Sequence, residues 1–226
     1  MKCSIIIPVY NEEKTVARVI KSVKEVKHPF EKEIIVVNDG SKDNSAKIIK
    51  STRDIIYIEN SVNHGKGYSI RKAIAKAKGD IILIHDADLE YDPREHIKIL
   101  KLFSDSKIKV VYGSRFLNKS HHPRYHLFYF GNIGLSFLTK ILFRHYISDM
   151  ETCYKAFRRE TLKDIKLHED RFGFEPEITC KFIKSGFKII EIPISYKSRS
   201  YKEGKKIGIK DGLRAVLVLL KYRFVN

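Results

Sequence analysis

The 226-residue sequence predicts an α/β fold, with a mostly parallel central sheet flanked by helices. Three observations predict it. Short runs rich in Ile and Val recur through the first half of the chain. Amphipathic segments with helical spacing separate those runs. Clusters of polar residues follow the runs, at the strand ends where open parallel sheets bind ligands.

Cys3–Val9 reads as a buried strand, nearly continuous in Ile and Val. Val16, Val19, Ile20, Val23 and Val26 then fall at helical spacing. Glu33–Asn38 is a second strand, Ser45–Ser51 a short helix and Ile55–Glu59 a third strand. Tyr68–Lys78 puts Ile70, Ala73, Ile74 and Ala77 on one helical face. Ile81–His85 is a fourth strand, Arg94–Phe103 a helix and Val110–Gly113 a fifth strand. The second half is less regular. Tyr125–Tyr146 is aromatic and apolar, punctuated by Lys140 and Arg144. Cys153–Phe157 is a candidate strand, Pro176–Lys184 a helix closed by Gly186, and Lys188–Tyr196 another strand. Residues 197–206 form a basic loop, and Ile209–Phe224 a final helix. With no repeat or linker in view, the chain reads as one domain over 1–206 with a C-terminal amphipathic helix over 207–226. That helix belongs either to the same domain or to a membrane-surface extension.

Hydrophobic residues make up 43% of the chain, which excludes a disordered class. The net charge of +17 favours an anionic partner: nucleic acid, an acidic membrane surface or a phosphorylated small molecule. A basic proteome accounts for it equally well. Cys3, Cys153 and Cys180 have neither zinc spacing nor a disulfide framework, which fits a reducing cytosol. No uninterrupted apolar stretch of about 18 residues is present, so no membrane-spanning helix is expected.

The sharpest chemical feature is Ile81-Ile-Leu-Ile-His-Asp-Ala-Asp-Leu-Glu. A buried strand runs directly into Asp86 and Asp88, with Glu90 as a candidate third ligand. Hard carboxylate oxygens suit Mg²⁺ or Mn²⁺, which bind substrate phosphates. A polar turn before Pro93 is the plainer alternative. Pro8-Val-Tyr-Asn-Glu-Glu follows the first strand. Pro8 opens it, Tyr10 is a candidate for stacking on a base or ribose, and Glu12 for contacting a sugar-nucleotide; Asn11 also suits a helix N-cap. In Asn38-Asp-Gly-Ser, Asp39 is a candidate acceptor for a base N–H, although Asp-Gly-Ser is also an ordinary turn. Asn63-His-Gly-Lys-Gly opens a helix whose glycines permit close backbone approach, and Lys66 is a candidate diphosphate contact or a solvated lysine. Tyr112-Gly-Ser-Arg ends the fifth strand with Arg115, a planar fork for phosphate oxygens.

As an ordered set these motifs resemble the inverting glycosyltransferase family 2, whose fold is the GT-A nucleotide-diphospho-sugar transferase fold. The resemblance runs over residues 3–206. Within the family the sequence is most similar to polyprenyl-phosphate sugar synthases of the dolichyl-phosphate mannose synthase type. Ser148-Asp-Met-Glu-Thr-Cys-Tyr-Lys-Ala-Phe-Arg-Arg-Glu resembles their acceptor-side segment. Arg199-Ser-Tyr-Lys-Glu-Gly-Lys resembles their Arg-x-Tyr-Gly-x-Ser-Lys loop, with Lys202 and Gly204 departing from it.

The resemblance implies transfer of a hexose from a nucleotide-diphospho-sugar, of GDP-mannose or UDP-glucose type, to polyprenyl or dolichyl phosphate. Asp86, Asp88 and Glu90 would hold Mg²⁺ or Mn²⁺. Arg115, Arg199 and Lys205 would position donor and acceptor phosphates. For a hydroxyl acceptor a base is required, and Asp149 is the first candidate, with Glu175 and Glu177 behind it. Glu175-Pro-Glu also suits a helix start. A lipid acceptor implies a peripheral enzyme on the cytoplasmic face, touching the membrane through the basic, aromatic segment 119–146 and the last helix. Packing of both on the sheet is the alternative. Competing functions are a family 2 enzyme acting on polysaccharide or glycolipid hydroxyls, and a basic nucleic-acid-binding module. No RNA- or DNA-recognition motif supports the latter, so no nucleic-acid partner is expected. A nucleotidyltransferase would carry a Gly-rich basic loop after the first strand, which Pro8–Glu13 lacks.

Overall fold

The computed structural model describes residues 1–117, 126–200, 204 and 208–225. Its elements in chain order are β1 (Lys2–Val9), α1 (Val16–Glu25), β2 (Glu31–Asp39), α2 (Ser45–Lys50), β3 (Ile56–Asn60), α3 (Lys66–Ile74) and β4 (Ile81–Ile84). They continue with α4 (Glu95–Leu102), β5 (Val110–Ser114), α5 (His126–Phe143), β6 (Lys155–Arg158), α6 (Phe174–Lys184), β7 (Ile189–Pro193) and α7 (Ile209–Phe224). Every expected strand and helix is present, within a few residues of its expected ends.

The strands form one sheet in the order β3-β2-β1-β4-β6-β5-β7. All are parallel except β6, which runs antiparallel to both β4 and β5. The β6 inversion matters for the site. It brings the loop entering β6 to the edge where the parallel strands end. The central strands β1 and β4 are buried on both faces, which is why they read as unbroken Ile/Val/Leu runs. Helix α1 buries Val16, Val19, Ile20 and Val23 on one stripe. Each such side chain contributes about 1.5–3 kcal/mol by leaving water.

A second, smaller apolar cluster lies beyond the sheet. It joins Leu135 of α5, Cys180 of α6, Met150, and Ala215, Val218, Leu219 and Tyr222 of α7. Glu169 fastens α7 from the side, accepting from Arg214 at 2.6 Å and Lys221 at 2.9 Å. No helix among the described residues is long and apolar enough to cross a membrane.

Candidate active site

A cleft of about 860 Å³ opens at the edge formed by the carboxyl ends of β1, β2, β4 and β5. Pro8, Tyr10, Glu12, Asp39, Lys66, Asp86, Asp88, Glu90, Arg115 and Arg199 all line it. Ten residues from six separate motifs therefore meet in one place. Lys205 lies outside the described residues, as do Tyr201 and Lys202 of the same loop.

The end of β1 is tied to the end of β2. Asn11, at φ 51°, donates its amide to Ser41 Oγ at 3.0 Å and accepts from Lys42 N–H at 2.8 Å. It is therefore a strand-end clasp and not the cap of α1, whose first flanking residue is Thr15. Gly40 follows Asp39 at φ 65°, and a Cβ there would lie 2.4 Å from the Val62 carbonyl carbon. Both the turn and the close approach demand glycine. Asp39 is 2% exposed. Its two oxygens accept from Asn60 and Asn63 amides and from the His64 and Gly65 N–H groups at 2.7–3.1 Å. These four donors fix the carboxylate at the cleft wall. The glycines of Asn63-His-Gly-Lys-Gly make a close approach, but to the chain's own backbone. A Cβ on Gly65 would lie 2.6 Å from Asp170 O, and one on Gly67 2.1 Å from Glu169 O.

Asp86 and Asp88 stand where β4 ends. Lys66 Nζ lies 2.8 Å from Asp86 Oδ1 and 2.8 Å from Glu175 Oε1. Burial opposes the charge on Asp86, but Lys66 outweighs it and holds the carboxyl below the usual range. Lys66 is thus no solvated lysine. Asp88 Oδ2 accepts from Arg199 Nη2 at 2.9 Å. Glu90 accepts from Tyr196 OH at 2.7 Å and from the Arg199 N–H at 2.7 Å. Arg199 Nη1 also reaches both oxygens of Glu12, at 3.2 and 3.1 Å. Glu12, expected to contact donor directly, is here a partner of Arg199.

The expected ligand triad is consequently not assembled: among the described residues no three His, Cys, Asp or Glu side chains converge as ligands. The reason is electrostatic, since Asp86 and Asp88 each turn to a side-chain cation of their own. The donor set nevertheless fits a divalent ion. Asp86 and Asp88 offer hard oxygens at a strand mouth. Burial, with the charges of Asp86 and Glu90, pushes the Asp88 carboxyl up to about 7, a surplus of negative charge that a cation relieves.

Asp149 departs from its expected role. It is fully buried and does not line the cleft. Its Oδ2 accepts from the Arg115 backbone N–H at 2.9 Å and from Nε at 2.7 Å, and its Oδ1 from Nη2 at 2.7 Å. Glu191 braces the turn behind it through Ser148 N–H and Oγ at 2.8 and 2.7 Å. A carboxylate so engaged is not placed to accept a proton from a hydroxyl. It aims Arg115, whose guanidinium also lies 5.0 Å from the centre of the Tyr196 ring. Glu177 is equally remote, accepting from the His168 and Glu169 N–H groups at 2.8 Å each. Glu175, in the first turn of α6, does face the cleft.

Sequence reasoning missed Glu151, Asn132 and Tyr91, which also line the cleft. Only Glu151 sits in a segment the motifs singled out, and nothing in its type or spacing set it apart.

Comparison with known proteins agrees with this architecture. Glycosyl transferase family 2 matches residues 4–166. The chain is 31% identical to a dolichyl-phosphate beta-glucosyltransferase of Trichomonas vaginalis, over 96% of the chain and 72% of that protein. It is 30% identical to a UDP-N-acetylglucosamine–dolichyl-phosphate N-acetylglucosaminyltransferase of Methanococcus voltae, over 96% and 94%. Among solved structures, glucosyl-3-phosphoglycerate synthase of Mycobacterium tuberculosis, in complex with Mn²⁺, UDP and phosphoglyceric acid, superposes with a TM-score of 0.76. That match has 19% identity and covers all of this chain and 79% of that one. The fold is GT-A, and the chain is a glycosyltransferase that belongs to glycosyl transferase family 2.

Proposed function

We propose that this enzyme transfers a hexose, with inversion, from a nucleoside diphosphate sugar to a polyprenyl phosphate at a membrane surface. One observation carries the reading. The carboxylates of Asp86 and Asp88 and the cations of Lys66, Arg115 and Arg199 share a cleft whose remaining wall is built from two helices with exposed apolar stripes. Phe130, Ile133, Phe137 and Ile141 form the stripe on α5, and Leu213, Leu217, Leu220 and Phe224 the one on α7. Contiguous exposed apolar surface of this kind, flanked by Lys140, Arg144, Lys210 and Arg214, suits the headgroup zone of a bilayer. Gly131 and Gly134 of α5 and Gly212 of α7 line the cleft, and a Cβ on any of them would meet open space. Each glycine costs a helix about 1 kcal/mol relative to alanine. An open slot between the helices for a prenyl chain accounts for that expense.

Tyr10 and Asp39 would flank the nucleoside, and Asp86 and Asp88 would hold Mg²⁺ or Mn²⁺, which would supply Lewis-acid shielding of the departing diphosphate. An oxygen of the acceptor phosphate bonds to the anomeric carbon as the bond to the diphosphate oxygen breaks. Arg115, held by Asp149, and Arg199 bind and orient the phosphates. The acceptor is already ionised, so no side chain needs to remove a proton, and the engagement of Asp149 with Arg115 is consistent with that. The dolichyl-phosphate relatives and the Mn²⁺ and UDP of the structural neighbour support the same reading.

The test is to incubate the full chain with labelled UDP-glucose or GDP-mannose, Mn²⁺ and polyprenyl phosphate in detergent. A lipid-soluble product that mild acid cleaves to free sugar is expected. An acid-stable product on a hydroxyl acceptor would move the enzyme to the polysaccharide or glycolipid branch.

A further inference from the structure

Glu151 and Glu175 have no place in the chemistry described so far. Both line the cleft. Glu175 is 3% exposed, and its Oε2 has no hydrogen-bond partner among the described residues. Oε1 of Glu151 is likewise buried and without one. Unsatisfied buried carboxylate oxygens are costly, and those that face a cleft find their partners on the ligand.

The sheet order locates that ligand. The nucleoside end of the cleft lies over β2 and β1, at Asp39 and Tyr10. The metal-binding carboxylates follow at the end of β4. The next strand in the sheet is β6, and Glu151 stands in the loop that enters it at the same edge. Lys66 Nζ touches both Asp86 and Glu175, so the unpartnered oxygen of Glu175 lies one ammonium group away from the metal-binding carboxylate. A group attached to the far side of the diphosphate reaches this position. The site is acidic, and Asn132, 4% exposed, holds the Glu151 N–H at 3.1 Å on its other side.

We infer that Glu151 and Glu175 form the sugar subsite, in which their unpartnered oxygens accept hydrogen bonds from hydroxyls of a neutral hexose on the donor. The subsite rests on the function proposed above. It selects a polyol and rejects a sugar carrying its own carboxylate, because a third negative charge there would be unpaired.

The experiment titrates the Mn²⁺-loaded full chain with UDP, GDP, UDP-glucose, GDP-mannose and UDP-glucuronic acid. Wild type should bind a nucleotide-hexose and discriminate at least tenfold against the glucuronate. Glu151→Ala should weaken the nucleotide-hexose about tenfold and leave the bare diphosphate within twofold. Glu151→Gln, which keeps a hydrogen-bonding group, should lose less than threefold for the hexose. Equal affinity of wild type and Glu151→Ala for the nucleotide-hexose, with the diphosphate still bound, overturns the subsite alone. So does an effect confined to the acceptor KM. Failure of wild type to bind any of the five overturns the proposed function and the subsite together.

Discussion

Arg199 and Asp88 meet at 2.9 Å, and the same guanidinium bridges to Glu12. An arginine from the loop after β7 thus occupies the carboxylate that a divalent ion would share with Asp86. On the proposed function, metal binding and the Arg199–Asp88 pair would compete for one group. Arg199→Ala should therefore bind Mn²⁺ about tenfold more tightly, the worth of one charge-assisted hydrogen bond. Transfer should fall by two orders of magnitude, because the acceptor phosphate loses its fork. Calorimetric Mn²⁺ titration reads the first effect, and weaker Mn²⁺ binding in the variant would contradict the competition.

The Arg115–Asp149 pair makes a separate prediction. If Asp149 aims the guanidinium, Asp149→Asn should reduce kcat/KM by about 10- to 100-fold, the usual range for a lost supporting contact. The pH–rate profile should keep its shape. A base would behave differently: its removal would abolish the acidic limb of the profile. Initial rates between pH 5.5 and 9 separate the two.

Three imidazoles run in a line beneath the site. His85 Nδ1 lies 3.0 Å from His96 Nε2, and His96 Nδ1 lies 3.3 Å from His28 Nε2. Burial pulls His28 down to about 4, with the charge of Lys32 helping, and burial holds His96 well below the ordinary value of about 6.5. Because the folded chain binds fewer protons than the unfolded one, their contribution is complete above about pH 6.5 and is lost as pH falls toward 4. At pH 5 the half-buried His28 costs about 1 kcal/mol relative to pH 7, once solvent screening is allowed for. Denaturant melts at the two pH values should show that loss, and His28→Gln should lessen it. A flat profile in wild type would rule the imidazole line out as the cause.

The stripes on α5 and α7 predict membrane contact. Phe137→Asp combined with Leu217→Asp should cut sedimentation with anionic phosphatidylglycerol vesicles at least tenfold, since each charge opposes transfer of an exposed apolar position. Binding of UDP with Mn²⁺ should be unchanged. Undiminished vesicle binding would leave the stripes to another partner.

How far the sequence carried this account depended on the kind of information each feature needs. Strands β1, β2 and β4 were legible because strands buried on both faces must be apolar throughout, and the motifs were legible because each follows such a strand. The inversion of β6 was not. Its four residues include Lys155, fully buried yet satisfied by the carbonyls of Met150 and Thr152 at 2.8 Å and by the Tyr112 ring at 4.4 Å. No local pattern announces a lysine that the fold itself solvates. The same limit explains Asp149 and the ligand triad. Residue type predicted what those carboxylates are able to do, whereas their partners Arg115, Lys66 and Arg199 arrive from distant elements. Glu151 was hidden for a similar reason, because its environment is made by β6, α5 and α6 together.

The central claim is that Asp86 and Asp88 bind a divalent ion together with the donor diphosphate. It is tested most directly by the melting temperature of wild type and Asp88→Ala with UDP-glucose and GDP-mannose, each with and without Mn²⁺. Ligand binding to the folded state raises stability by mass action, about 2.7 kcal/mol at a hundredfold excess over Kd. Wild type should be stabilised by one of the donors only when Mn²⁺ is present, and Asp88→Ala should melt like unliganded wild type under every condition. Stabilisation of Asp88→Ala by donor and Mn²⁺ equal to that of wild type would contradict the account.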